Sequence, residues 1–199
     1  MTLLVAMTAI SMFAIKPVTL DGKFNVKKCK GAIAVYSISW DGTECGEIDD
    51  GVFVNGSMPI AEWLKAQDEK KIADGKAEDA NYVRDWDAIK AEGERYFKDE
   101  WNDEFGKRGL HLTRNEAEAQ YRFDVVIEKL DWGNIGGVFG WGNAGGAIIA
   151  GYADLTDIQS GERIARFNIN HVQGNSHFSD RLRILLVLHQ LVDEIEDIY

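Results

Sequence analysis

The sequence predicts an α/β chain of the α+β kind, a mixed, largely antiparallel sheet with two long helices packed on one face. Three observations predict it. Residues 121–131, YRFDVVIEKLD, begin in strict alternation, with Tyr121, Phe123, Val125 and Ile127 to one side and Arg122, Asp124 and Glu128 to the other. That is the period of a half-buried strand. Between Ala80 and Phe105, the residues Tyr82, Trp86, Ile89, Gly93, Phe97, Trp101 and Phe105 recur every three or four positions with charges between them, the stripe of a helix lying on a sheet. From Ser176, read as the cap, Phe178, Leu182, Leu185, Leu186, Leu188, Val192 and Ile195 make a wider stripe of the same period.

The chain has 199 residues, 45% hydrophobic and 28% charged, enough to bury one substantial core. It divides into residues 1–14, an export signal or apolar leader, and residues 15–199, a single α/β domain. The leader reading rests on MTLLVAMTAISMFA, an apolar run with small residues at Ala9, Ser11 and Ala14, although no Lys or Arg precedes it. The run is too short for an ordinary membrane span, which needs about 20 residues. If it is cleaved the protein is periplasmic or at the cell surface; if it is kept, cytoplasmic.

The remaining elements follow in order. GAIAVYSISW is an apolar, β-rich run ending at Asp41-Gly42, a buried strand, and Val52–Val54 is a second, short one stopped by Asn55-Gly56. Ser57 and Pro59 open a helix carrying Ile60, Trp63 and Leu64 on one side, which gives way to a polar loop through DEKKIADGKAED. Gly109 closes the next helix behind Lys107 and Arg108. Gly93 lets that helix approach its neighbours closely. AIIAGYADLTDI and ERIARFNINHV flank QSG as a β-hairpin. The strand near residue 33 joins the one near 123 through the helices, right-handed if the two are parallel.

Charge and motif spacing exclude several functions. The formal net charge of -11 repels a polyanion, so nucleic acid is not an expected partner. His111, His171, His177 and His189 lack metal-ligand spacing, and neither a metal nor a cofactor is predicted. His189, within LLVLHQLV, reads as a core residue. Cys29 and Cys45 read as free thiols. A straight strand would carry the chain roughly 30 Å or more from Cys29, the five residues after Trp40 return at most about 17 Å, and a bridge needs Cα atoms within about 7 Å. Gly140, Gly142 and Gly145 spell a literal G-x-G-x-x-G, but the alternating GAIIAGYADL after it is a strand. A dinucleotide fingerprint needs a helix N-terminus there.

The glycine-rich stretch DWGNIGGVFGWGNAGGA is therefore a connection bearing large apolar side chains. No charge lies between Asp131 and Asp154. Trp132, Phe139 and Trp141 are the candidate contact residues for a partner protein or a second copy of the chain, through residues 132–146. No catalytic constellation stands out. The leading function is a non-enzymatic exported accessory or binding protein; the alternative is an enzyme of a class the sequence does not declare.

The order of elements across residues 80–199, with YRFDVVIEKLDWGN, the glycine-rich link and GYADLTDIQSGERIARF, resembles an uncharacterised family of bacterial envelope proteins. That family is similar in layout to the amino-terminal α/β domain of the translocation protein TolB. The most specific part is the turn Asp157 to Glu162. The resemblance implies an accessory role in the periplasm or at the cell surface, and it transfers fold rather than activity.

Overall fold

The computed structural model describes residues 15–133, 145–177 and 179–199. Ten strands and three α-helices are formed among them: β1 Val18–Gly22, β2 Ile33–Ser39, β3 Glu44–Cys45, β4 Ile48–Asp49, β5 Val52–Phe53, β6 Met58–Pro59, α1 Ile60–Ala73, α2 Tyr82–Glu104, β7 His111–Thr113, β8 Tyr121–Asp131, β9 Ile148–Asp157, β10 Arg163–Gln173 and α3 Asp180–Glu196. The main sheet runs β1-β10-β9-β8-β2-β7, with β3 pairing both β8 and β6; β4 and β5 form a separate hairpin. The long neighbours β1, β10, β9 and β8 are antiparallel, whereas β8–β2 and β2–β7 are parallel. The sheet is thus mixed and largely antiparallel.

Alternation explains which face is inside. Phe123, Val125 and Ile127 of β8, Ala153 and Leu155 of β9, and Ala165, Phe167 and Ile169 of β10 are all buried. A bulge between Ile127 and Lys129 shifts the register, so that burial resumes at Leu130. Trp86, Ile89, Phe97 and Trp101 of α2 and Ile184, Val187, Leu188, Leu191 and Ile195 of α3 belong to the same core. The two helices meet at Gly93, where a Cβ would stand 3.0 Å from Leu188 Cδ1. Burial of this area, at about 25 cal/mol per Å² of apolar surface, is the dominant stabilising term. The outward side chains are polar: Arg166 binds Asp154 through two bonds of 2.7 and 2.6 Å and lies over the Tyr152 ring.

Several boundaries differ from the expectation. α1 continues through DEKKIA to Ala73 instead of dissolving into a loop, because Glu, Lys and Ala are good helix formers even when solvated. Its Asp68 then caps the next helix from outside, accepting from the amides of Tyr82 (2.8 Å) and Val83 (3.1 Å); Asn81, the N-cap by position, makes no side-chain cap bond. α2 ends at Glu104 with Phe105 as its C-cap. Gly109 lies beyond it for a different reason, since a Cβ there would stand 1.9 Å from the Val26 carbonyl oxygen. The cap of α3 is Ser179, not Ser176. The edge strands β1 and β7, of five and three residues, are too short for a period to declare itself in the sequence. Both thiols are free, and no helix among the described residues is long and apolar enough to cross a membrane.

Candidate functional site

Where β8 ends, the N-terminal halves of α1, α2 and α3 converge and gather aromatic side chains from four places in the sequence. Trp132, directly after β8, is only 4% exposed. It stacks on Trp63 of α1 with ring centroids 4.9 Å apart and planes 2° from parallel. Tyr82 meets both rings edge-on, at 5.9 and 6.2 Å. Trp86 lies 5.7 Å from Trp132 and 5.3 Å from Trp40. Edge-on and offset-stacked pairs suit the ring quadrupoles, adding about 0.5–1.5 kcal/mol per pair beyond burial.

Burial of Trp132 corrects the expectation that it forms part of a free partner surface. Its apolar ring is covered by its own chain, chiefly by Trp63, nearly seventy positions earlier. Phe139 and Trp141, the other two candidate contact residues, lie outside the described residues, as do residues 1–14.

The main chain around Trp132 is held by Arg183, which is itself 1% exposed. Its Nη1 donates to the carbonyls of Trp132 (2.6 Å) and Gly133 (3.0 Å), and its Nε to that of His177 (2.7 Å). A guanidinium suits this task because its donors form a rigid fork. Asp131 accepts from the amides of Gly133 (2.7 Å) and Ile48 (3.1 Å). Gly133 has φ +72°, and a Cβ on it would stand 2.3 Å from the Gly145 carbonyl oxygen. The ends of the glycine-rich segment therefore lie against each other at this site. Among the described residues the segment is followed by a strand, β9, and not by a helix N-terminus of the kind that receives a phosphate.

Two cavities flank Trp63. The first, of about 270 Å³, has Trp63, Tyr82 and Trp132 as its apolar wall and Lys70, Lys71, Lys76 and Asp74 at its mouth. The second, of about 280 Å³, shares Trp63, Trp132 and Gly133 but carries Glu47 and Asp131. A wider groove of about 540 Å³ shares Lys71 and Tyr82 with the first and extends to Asp85, Ser179 and Arg181. Around it, charges are matched in pairs: the Arg84 hydrogen bond holds Asp85 below the usual carboxylate range, and the Arg181 hydrogen bond does the same for Glu92.

Behind the aromatic wall sits Cys45, 1% exposed. Burial pushes its thiol up to about 12, and the nearby Glu44 and Asp131 charges add to it. A thiol so protonated is a packing group rather than a nucleophile. His189 is corrected too: it is half-buried where α3 faces α2, beside Tyr96, with Nδ1 3.2 Å from Glu100 and Nε2 3.6 Å from Asp193. Among the described residues no three His, Cys, Asp or Glu side chains are grouped to hold a metal.

Neither a protein-family model nor a curated protein matches the chain. Among solved structures it is similar to the PelC dodecamer from Paraburkholderia phytofirmans, with 12% identity, 88% of this chain and 96% of that chain covered, and a TM-score of 0.42. A point variant of the same dodecamer matches at 10% identity, with 89% and 96% covered and a TM-score of 0.41. A likeness at that level assigns neither ligand nor assembly.

Proposed function

We propose that this chain is an exported, non-enzymatic accessory or binding protein, periplasmic or at the cell surface, whose recognition site is the aromatic cleft at the end of β8. One observation carries the reading: Trp63, half-buried and stacked on the buried Trp132, borders two open cavities. An aromatic wall with a few polar groups at its rim is the usual composition of a ligand site, and its stacking holds the ring in place before a ligand arrives, which lowers the entropy cost of binding. The apolar leader supports export, and the resemblance through the turn Asp157 to Glu162 supports an envelope role.

Phe139 and Trp141 enter this reading as contact residues for a partner protein or a second copy, because Gly133 and Gly145, the described residues on either side of their segment, lie against each other beside the cleft. Fractionation of the native host, with the mass of the purified chain, tests the reading. A mature N-terminus within or just after residues 1–14 in an envelope fraction is expected; an intact Met1 in the cytoplasmic fraction refutes export.

A further inference from the structure

Resting on the reading of the cleft as a recognition site, we infer that its 270 Å³ cavity takes a ring-bearing organic anion of about monosaccharide size, a sugar acid or its like, and rejects the uncharged ring. Three independent features point to this chemistry.

Charge comes first. The chain as a whole is acidic, with 33 Asp and Glu against 22 Lys and Arg, yet Lys70, Lys71 and Lys76 line this cavity, with Asp74 the one carboxylate among the described residues of its lining. Five other lysines are engaged: Lys27 with Glu196, Lys65 with Glu69, Lys90 with Asp87, Lys98 with Asp99 and Lys129 with the Gly51 carbonyl. Lys70, Lys71 and Lys76 have no ion-pair partner among the described residues. Three uncommitted ammonium groups at one mouth, set on a low-dielectric wall, concentrate positive potential where the rest of the surface repels anions. Lysine donors are mobile point charges, suited to a carboxylate or phosphate without demanding one fixed bidentate geometry.

The wall supplies the second feature. Trp63 is locked by its stack on Trp132 and by the edge of Tyr82, so a flat apolar surface borders the cations. A carboxylate alone would gain nothing from it, while a ring with an apolar face gains both contacts at once.

Asymmetry is the third. The neighbouring cavity, which shares Trp63, Trp132 and Gly133, carries Glu47 and Asp131 instead of lysines, and like charge disfavours an anion there. Of the two cavities that Trp63 borders, the one lined by lysines is therefore where the ligand's charge must lie. Size sets the limit: about 270 Å³ falls just below the roughly 300–1,000 Å³ of sites for drug-sized ligands, which admits one ring with its charged group.

Calorimetry on the full chain with sodium glucuronate, glucose and sodium acetate tests the inference, since the three separate ring with charge, ring alone and charge alone. A dissociation constant on the order of 1 mM is expected for glucuronate, as befits so small a ligand, with glucose and acetate each at least about tenfold weaker. K71E and K76E, both near or at the surface, should weaken glucuronate at least about tenfold and leave the thermal transition unchanged. W63F should retain binding that W63A loses. Glucose binding as tightly as glucuronate overturns charge selection and leaves the recognition site standing. Equal affinity in K71E and wild type, or no saturable signal with glucuronate, overturns the inference outright. Glucuronate that binds and is recovered chemically altered supports the ligand class and refutes the non-enzymatic reading.

Discussion

Replacing Trp132 by alanine distinguishes a residue that closes the core from one that waits for a partner. The ring is 4% exposed and touches Trp63, Tyr82 and Trp86, so truncation removes most of a large buried side chain and leaves a cavity. Core Trp or Phe to Ala changes cost about 3–5 kcal/mol. The aromatic contacts place this one toward the upper end, at about 4–5 kcal/mol, against a total stability of roughly 5–15 kcal/mol. For a chain of this size each kcal/mol moves the midpoint by roughly 2–4 °C, so a fall of roughly 8–20 °C is expected. Urea denaturation followed by far-ultraviolet circular dichroism measures the free energy, and calorimetry the midpoint. A loss below about 1 kcal/mol, the size of an ordinary surface change, would refute the packing argument.

Further outcomes follow from the same contacts. In contrast to Trp132, Phe139 and Trp141 replaced together by alanine should leave the urea midpoint nearly unchanged and weaken self-association or pull-down of a partner; the reverse pattern ends the contact-surface reading. Arg183→Met should cost about 3 kcal/mol or more, because carbonyls of Trp132, Gly133 and His177 lose their donor and each such buried group costs about 1–3 kcal/mol; a neutral result would show that these carbonyls find other donors. Gly146→Ala puts a Cβ 1.7 Å from the Gly174 carbonyl oxygen and should abolish the cooperative transition, which a normal melting curve would contradict. In alkali, the folded thiol of Cys45 and the phenol of Tyr199, both pushed up to about 12 by burial, hold their protons while the unfolded chain loses them. Both groups are raised, so their stabilisation is complete below the unfolded values near 9 and 10 and declines as pH climbs toward about 12. Stability measured across that window should fall, and fall less in Cys45→Ala.

What could be read in advance is what repeats along the chain. The stripes of α2 and α3 and the alternation of β8 span many turns or pairs, so tertiary packing reinforces a signal already present locally. Elements held from a distance gave no such signal. Asp68 caps a helix fourteen positions away, β7 is three residues added in parallel to β2, and α1 runs on past its apolar residues because nothing there opposes the helix. The site was half legible: Trp132 stood out as an aromatic in a charge-free stretch, but its partner Trp63 lies on another element, and a lone sequence cannot say that the two rings stack. Arg183 was hidden more thoroughly, since a cation at a helix start reads as surface until the carbonyls it clamps are known. The turn Asp157 to Glu162 is now explained locally, with Asp157 accepting from the Ser160 amide (2.8 Å) and hydroxyl (3.0 Å) and Gly161 at φ +71°.

Indole N–H resonances of the six tryptophans, followed by nitrogen–proton correlation spectroscopy during a titration with sodium glucuronate, test most directly whether the cleft beside Trp63 is where this protein binds. Saturable shifts are expected for Trp63 and Trp132, assigned by W63F and by comparison with the others, while Trp101, buried and donating to the Leu110 carbonyl at 2.7 Å, stays in place. Saturable shifts at Trp101 with Trp63 and Trp132 unmoved would rule out this cleft as the binding site.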